Sequence, residues 1–131
     1  MIATHHPIPI IALAFLAISG AACNERRSPQ APDGVCTAQF VYGLTVTVLD
    51  RVSGQRICDA QVNGSSGSFH ETLEPRGPAE RCTYAGAGER RGTYDLTASK
   101  SGYISAMQTS IRVDADQCHV IPVPVTLELV R

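Results

Sequence analysis

The chain has 131 residues, with 11 Lys or Arg against 12 Asp or Glu, for a formal net charge of −1. That balance argues against nucleic acid as a partner, because a phosphate-binding surface needs a clear basic excess. Trp is absent and aromatics make up 5% of the chain, so base-stacking platforms and aromatic sugar shelves are poorly supplied.

Ile8 to Ala22 (IPIIALAFLAISGAA) is the first organised stretch. It is an apolar run of about 15 residues, short of the ~20 that a spanning helix needs. Small residues close it, as in an export signal where a peptidase must admit the backbone. Residues 1–22 are therefore expected to be a signal peptide, although its first seven positions hold no Lys or Arg. Removing it leaves roughly 109 residues, enough for one small domain. Ile18 to Cys23 (ISGAAC) resembles a bacterial lipoprotein box, which implies lipidation of Cys23 and a membrane anchor. Gly20 stands where that pattern prefers an aliphatic residue, and ordinary cleavage after Ala21 or Ala22 is the rival reading. Cysteine parity favours lipidation. There are five Cys, and an exported protein with an odd number keeps a reactive thiol unless one has another fate. With Cys23 lipidated, Cys36, Cys58, Cys82 and Cys118 remain as an even set.

Residues 23–34 then read as the lipidated terminus and a polar tether with two Pro, Pro29 and Pro32. Arg26 and Arg27 follow the apolar run instead of preceding it, which speaks against twin-arginine export. They suit solvent or lipid headgroups better.

Residues 35–131 show a period of two. Leu44, Val46 and Val48 alternate with Thr and share one face of a strand. Ser53-Gly54 is a turn, and Cys58, Ala60 and Val62 are expected to face inward on the next strand. Asn63-Gly64 is a strong hairpin-turn signal. Strands are expected over Ser68–Leu73 and Arg81–Ala85, with Glu74–Glu80 as a loop and Gly86–Gly92 as a turn. Thr93–Ser99 and Tyr103–Val113 alternate again, and Asp114-Ala115-Asp116 closes a hairpin. In Val120–Val130, residues Val123, Val125, Leu127 and Leu129 share a face. Pro122 and Pro124 cannot donate to a ladder, so the start of this strand belongs at an edge or bulge. Seven short strands with regular turn signals and no helical window indicate an all-β antiparallel sandwich.

Val48-Leu49-Asp50, Gly54, Ile57, Ala60 and Val62 resemble the opening motif of carboxypeptidase regulatory-like domains. Gly92-Thr93-Tyr94-Asp95-Leu96 and Lys100-Ser101-Gly102-Tyr103 resemble that family's second motif, in the right order and at the right distance. The resemblance covers about residues 44–130 and implies a seven-stranded, Ig-like or transthyretin-like sandwich. It implies no activity, because the module is attached to many different proteins. Tyr94 and Tyr103 suit the sandwich ends, with ring inward and hydroxyl to backbone or water; a ligand-stacking platform is the functional alternative. Four cysteines allow three pairings. If the first and last strands run parallel as neighbours, as in many Ig-like sandwiches, Cys36 comes near Cys118 and Cys58 pairs with Cys82. A four-Cys metal site lacks any C-x-x-C spacing.

Catalytic candidates are few. His119 beside Cys118 would serve as a base only if the thiol were free. His70-Glu71 resembles the start of a zinc-protease motif but has no second His at the required spacing. Asp114 and Asp116 offer a calcium site or, more simply, a solvated hairpin. The single Lys, Lys100, sits at a turn, and neither Asn lies on the last strand, so isopeptide chemistry is excluded. No cofactor, metal or catalytic residue is expected. The expectation is a monomeric, non-catalytic binding module of the cell envelope, lipid-anchored with the outer membrane favoured over the inner. Its partner would be an envelope protein or glycan. Contacts are expected from loops 63–68, 74–80 and 86–92, with Arg90 and Arg91 as candidate residues. A purely structural spacer and a hydrolase centred on His119 or on His70 and Glu71 are the alternatives.

Overall fold

The computed structural model describes residues 35–131. The expected signal peptide, the lipidation site Cys23 and the tether through residue 34 lie outside the described residues. The described part is all-β and contains no helix. Its strands are β1 (Tyr42–Asp50), β2 (Gln61–Ser66), β3 (Phe69–Thr72), β4 (Glu74–Arg76), β5 (Thr83–Gly88), β6 (Gly92–Ser99), β7 (Ala106–Val113) and β8 (Val123–Leu129).

These form two four-stranded sheets, ordered β4-β5-β1-β8 and β3-β2-β6-β7. Alternation supplies the core. Leu44, Val46 and Val48 of β1 and Val125, Leu127 and Leu129 of β8 turn inward to meet Val62, Tyr94, Leu96, Ala98, Ile111 and Val113 of the second sheet. β1 pairs with β8 in parallel, from Leu44 opposite Val123 to Asp50 opposite Leu129, and every other adjacent pair is antiparallel. β8 lies at the sheet edge, where Pro124 removes no ladder donor that another strand needs.

The parallel pair also places the cysteines. The chain before β1 meets the chain before β8, and Cys36 is bonded to Cys118. The second bridge, Cys58–Cys82, joins the stretch before β2 to the stretch before β5.

Several turns lie elsewhere than the sequence suggests. Asn63 and Gly64 are inside β2, paired with Thr72 and Glu71. The β2–β3 turn lies three residues beyond Gly64, at Gly67 with φ +59°. Gly64 is a close-packing position: a Cβ there would stand 3.2 Å from both Leu73 and Leu96. Glu74–Arg76, expected to be loop, is the short strand β4 against Thr83–Ala85. It raises the strand count from the seven expected to eight, and it lies at the outer edge of the first sheet, where Pro75 is tolerated. β5 also runs on through Gly86 and Gly88, whose missing Cβ atoms leave room for Leu73 and the Phe40 ring. Residues 56–60 form no continuous strand: Arg56 makes one isolated bridge to Leu49. The Ala60 N–H donates instead to the Tyr84 hydroxyl, at 2.9 Å. Of the three residues expected inward there, Val62 is fully buried, while Cys58 and Ala60 are half-buried.

Candidate functional site

Residues 35–41 cross the end of the sandwich where β1 begins and β5 ends. Glu89, just past β5, holds them twice. Its N–H donates to the Val41 carbonyl at 2.9 Å, and its Oε1 accepts the Val41 N–H at 2.7 Å. Glu89 adopts φ +48°, a left-handed conformation uncommon for a residue with a Cβ. The Val41 amide, and behind it the His119 imidazole, hold the Glu89 carboxyl below its ordinary range.

His119 joins this arrangement from the turn before β8. Asp116 Oδ1 accepts the N–H groups of Cys118 and His119, each at 2.8 Å, and the Asp116 N–H donates to the His119 carbonyl. The two amide donors to Oδ1 lower the Asp116 pKa, the His119 amide first. The turn presents the imidazole with Nδ1 2.9 Å from Glu89 Oε1 and Nε2 3.0 Å from Thr37 Oγ1. Hydroxyl, imidazole and carboxylate thus stand in the order used by acyl-transfer triads. His119 and Glu89 are partly shielded, with side chains 20% and 31% exposed.

Sequence reading singled out His119 but neither Thr37 nor Glu89, which lie 82 and 30 positions away along the chain. Only the strand order brings the three together. The imagined partner of His119, a Cys118 thiol, does not exist here, because Cys118 is in the bridge to Cys36.

His70 and Glu71 are not one centre. As neighbours on β3 they point to opposite faces. Glu71 turns toward the first sheet, where Oε1 accepts the Ala87 N–H at 2.7 Å. His70 faces solvent beside an open groove of about 410 Å³ on the outer face of the second sheet. Asn63, Ser65, Thr72, Asp95 and Thr97 line it as well. The Thr72 hydroxyl donates to Asn63 Oδ1, and Asp95 Oδ1 accepts the Ser110 N–H. Short hydrogen-bonding side chains make up this lining.

The three expected contact loops do not share one end. The β2–β3 turn and the 89–91 turn are adjacent, since the Arg90 guanidinium lies over the Phe69 ring at 4.1 Å. The 77–82 stretch belongs to the opposite end, where Cys82 bonds Cys58 and its carbonyl accepts from Arg56. Arg90 is therefore engaged, and its carbonyl accepts the Tyr94 hydroxyl at 3.1 Å. Arg91 makes no ion pair among the described residues. Tyr94 and Tyr103 both place their hydroxyls on protein acceptors, Tyr94 on that carbonyl and Tyr103 on Asp50. Asp114 pairs with Arg112 at 2.7 Å. Among the described residues no three His, Cys, Asp or Glu side chains converge to hold a metal ion.

No family model matches the chain, and no curated protein matches it.

Proposed function

We propose that this chain is a lipid-anchored, non-catalytic interaction module of the bacterial cell envelope. The observation that carries the reading is the fastening of residues 36–41. One disulfide, the Thr37–His119 contact and two Glu89–Val41 hydrogen bonds all act on the segment through which an anchored domain would be pulled. Load from an N-terminal anchor reaches the Cys36–Cys118 bridge before it reaches β1, which is hydrogen-bonded on both sides within its sheet. Two disulfides accord with an oxidising compartment outside the cytosol.

The finer fold in this reading is the transthyretin-like sandwich of carboxypeptidase regulatory-like domains, with β4 as an added edge strand. Its support is that Asp50, Gly54 and Tyr103, which carry the resemblance, interlock at one end of the sandwich. For recognition, the outer groove around Ser65, His70 and Asp95 combines hydroxyl, amide and imidazole groups with the Asp95 carboxylate, a set of donors and acceptors suited to a glycan or an extended peptide.

Metabolic palmitate labelling tests the anchor: Cys23→Ala should abolish it, and equal labelling would overturn lipidation. Cross-linking from Ser65→Cys in intact cells tests recognition. A captured envelope partner supports the module, and no adduct leaves only the spacer role.

The triad order of Thr37, His119 and Glu89 favours one second reading, an esterase with Thr37 as nucleophile. In that reading the purified chain hydrolyses an activated ester, and Thr37→Ala removes the activity without lowering the melting temperature. In the module reading no turnover depends on Thr37.

A further inference from the structure

We infer that the end of the sandwich bearing Val35, Phe40 and Ile121 lies on the bilayer surface, with these three side chains in the interfacial layer. The inference rests on the proposed anchor at Cys23 and specifies how the anchored domain is oriented. Val35, Phe40 and Ile121 are 75%, 61% and 50% exposed. They belong to one end: Val35 adjoins Cys36 of the Cys36–Cys118 bridge, and the Ile121 N–H donates to the Asp114 carbonyl in the same turn region. Phe40 is exposed yet packs on its neighbours. Its ring covers Gly88, where a Cβ would come within 2.3 Å, and meets Tyr42 edge-on at 5.1 Å.

Exposed apolar side chains alone do not choose an end, since Val52 and Ile104 are exposed at the far one. The point of attachment chooses. Twelve steps of chain from Cys23 to Val35 span at most about 40 Å even when fully extended. A domain of roughly 100 residues has a radius of gyration of about 13 Å. The domain is thus confined within about its own size of the surface, and confinement on that scale gives weak contacts a high effective concentration. The end that receives the tether is the end presented to the headgroups.

Charge at this end is balanced. Arg90, Arg91 and Arg112 are matched in number by Glu89, Asp114 and Asp116; Arg112 pairs with Asp114, Glu89 with His119, Arg90 lies over the Phe69 ring, and Asp116 accepts two backbone N–H groups. Attachment is therefore apolar, as at an interfacial aromatic belt, and is expected to survive salt and to need no anionic lipid.

The absence of Trp from the chain makes the test direct. Full-length lipidated protein carrying Phe40→Trp, Ile121→Trp or Val52→Trp is reconstituted into phosphatidylcholine vesicles, with and without bromine on the acyl chains near the headgroup. Phe40→Trp and Ile121→Trp should lose at least half their emission to the brominated lipid and shift to the blue. Val52→Trp should keep its emission. Flotation of the same vesicles reads the anchor separately. Protein that floats with all three reporters unquenched, or with Val52→Trp quenched equally, overturns the orientation and leaves the anchor standing. Protein that fails to float overturns both. The two reporters at the near end guard against local misfolding of either variant.

Discussion

The Tyr103 hydroxyl donates to Oδ2 of Asp50 at 2.8 Å, across 53 positions of sequence. Asp50 is the one buried charged residue of the described domain, 6% exposed at the end of β1. Its Oδ1 accepts the N–H groups of Val52 and Ser53, and its carbonyl accepts the Gly54 N–H, with Gly54 at φ +69°. Arg131 adds its guanidinium to both partners, 3.3 Å from Asp50 Oδ2 and 2.8 Å from the Tyr103 hydroxyl. One carboxylate thus organises a turn, the approach to β7 and the last residue of the chain.

This network makes a pH prediction. The Ser53 amide, the Tyr103 hydroxyl and the Val52 amide hold the Asp50 carboxyl down from its ordinary 3.8 to about 2. A carboxyl with a lowered folded pKa adds stability above its unfolded pKa and loses it as pH falls through the folded one. Urea midpoints should therefore fall as pH drops from about 4 toward 2. Asp50→Asn should show a shallower slope over that window, not a flat one, because Asp59, Glu89 and Asp116 are lowered as well. An unchanged slope would remove Asp50 from the account.

Two buried tyrosines should differ in what their hydroxyls contribute. Tyr84 donates to the Ile57 carbonyl at 3.1 Å and accepts the Ala60 N–H at 2.9 Å. Tyr84→Phe strands both backbone groups and should cost about 1–3 kcal/mol in urea unfolding. Tyr94 donates only to the Arg90 carbonyl in an exposed turn, where water can replace it. Tyr94→Phe should cost about 1 kcal/mol or less.

Two strand glycines should respond differently to Ala. A Cβ at Gly86 would stand 2.6 Å from Cγ of buried Leu73, and Gly86→Ala should cost about 1–3 kcal/mol. At Gly88 the obstacle is the exposed Phe40 ring, which can swing into solvent. Gly88→Ala should cost about 0.5 kcal/mol. Equal losses would show that Phe40 is held as firmly as Leu73.

The disulfides should rank by more than loop length. Chain entropy assigns roughly 3.4 kcal/mol to Cys58–Cys82 and roughly 4.5 kcal/mol to Cys36–Cys118, from separations of 24 and 82 residues. Replacing Cys58 and Cys82 with Ser should cost nearly the full amount, because both flank strands of the folded sandwich. Replacing Cys36 and Cys118 should cost less than its share, since residues 35–41 can then fray without opening a strand. Non-reducing peptide mapping checks the pairs themselves, and a Cys36–Cys58 peptide would contradict them.

Inward faces were legible without coordinates wherever burial follows alternation alone. Leu44, Val46 and Val48, and Val125, Leu127 and Leu129, declare their face because each residue i and i+2 answer to the same environment. Pro124 declares an edge for an equally local reason, the missing N–H. What the tertiary structure decided is whatever depends on a neighbour distant in sequence. Asn63-Gly64 has the composition of a turn but lies in β2, because Gly64 must admit Leu73 and Leu96. Glu74–Arg76 has the composition of a loop but pairs with β5, because the chain crosses to the other sheet at Leu73. Thr37, His119 and Glu89 carry no shared motif, and they meet because β1 and β8 run parallel and the Cys36–Cys118 bridge closes the same end. Side-chain period is a property of a few consecutive residues, whereas a cross-sheet contact is fixed by strand order, which no short window of sequence contains.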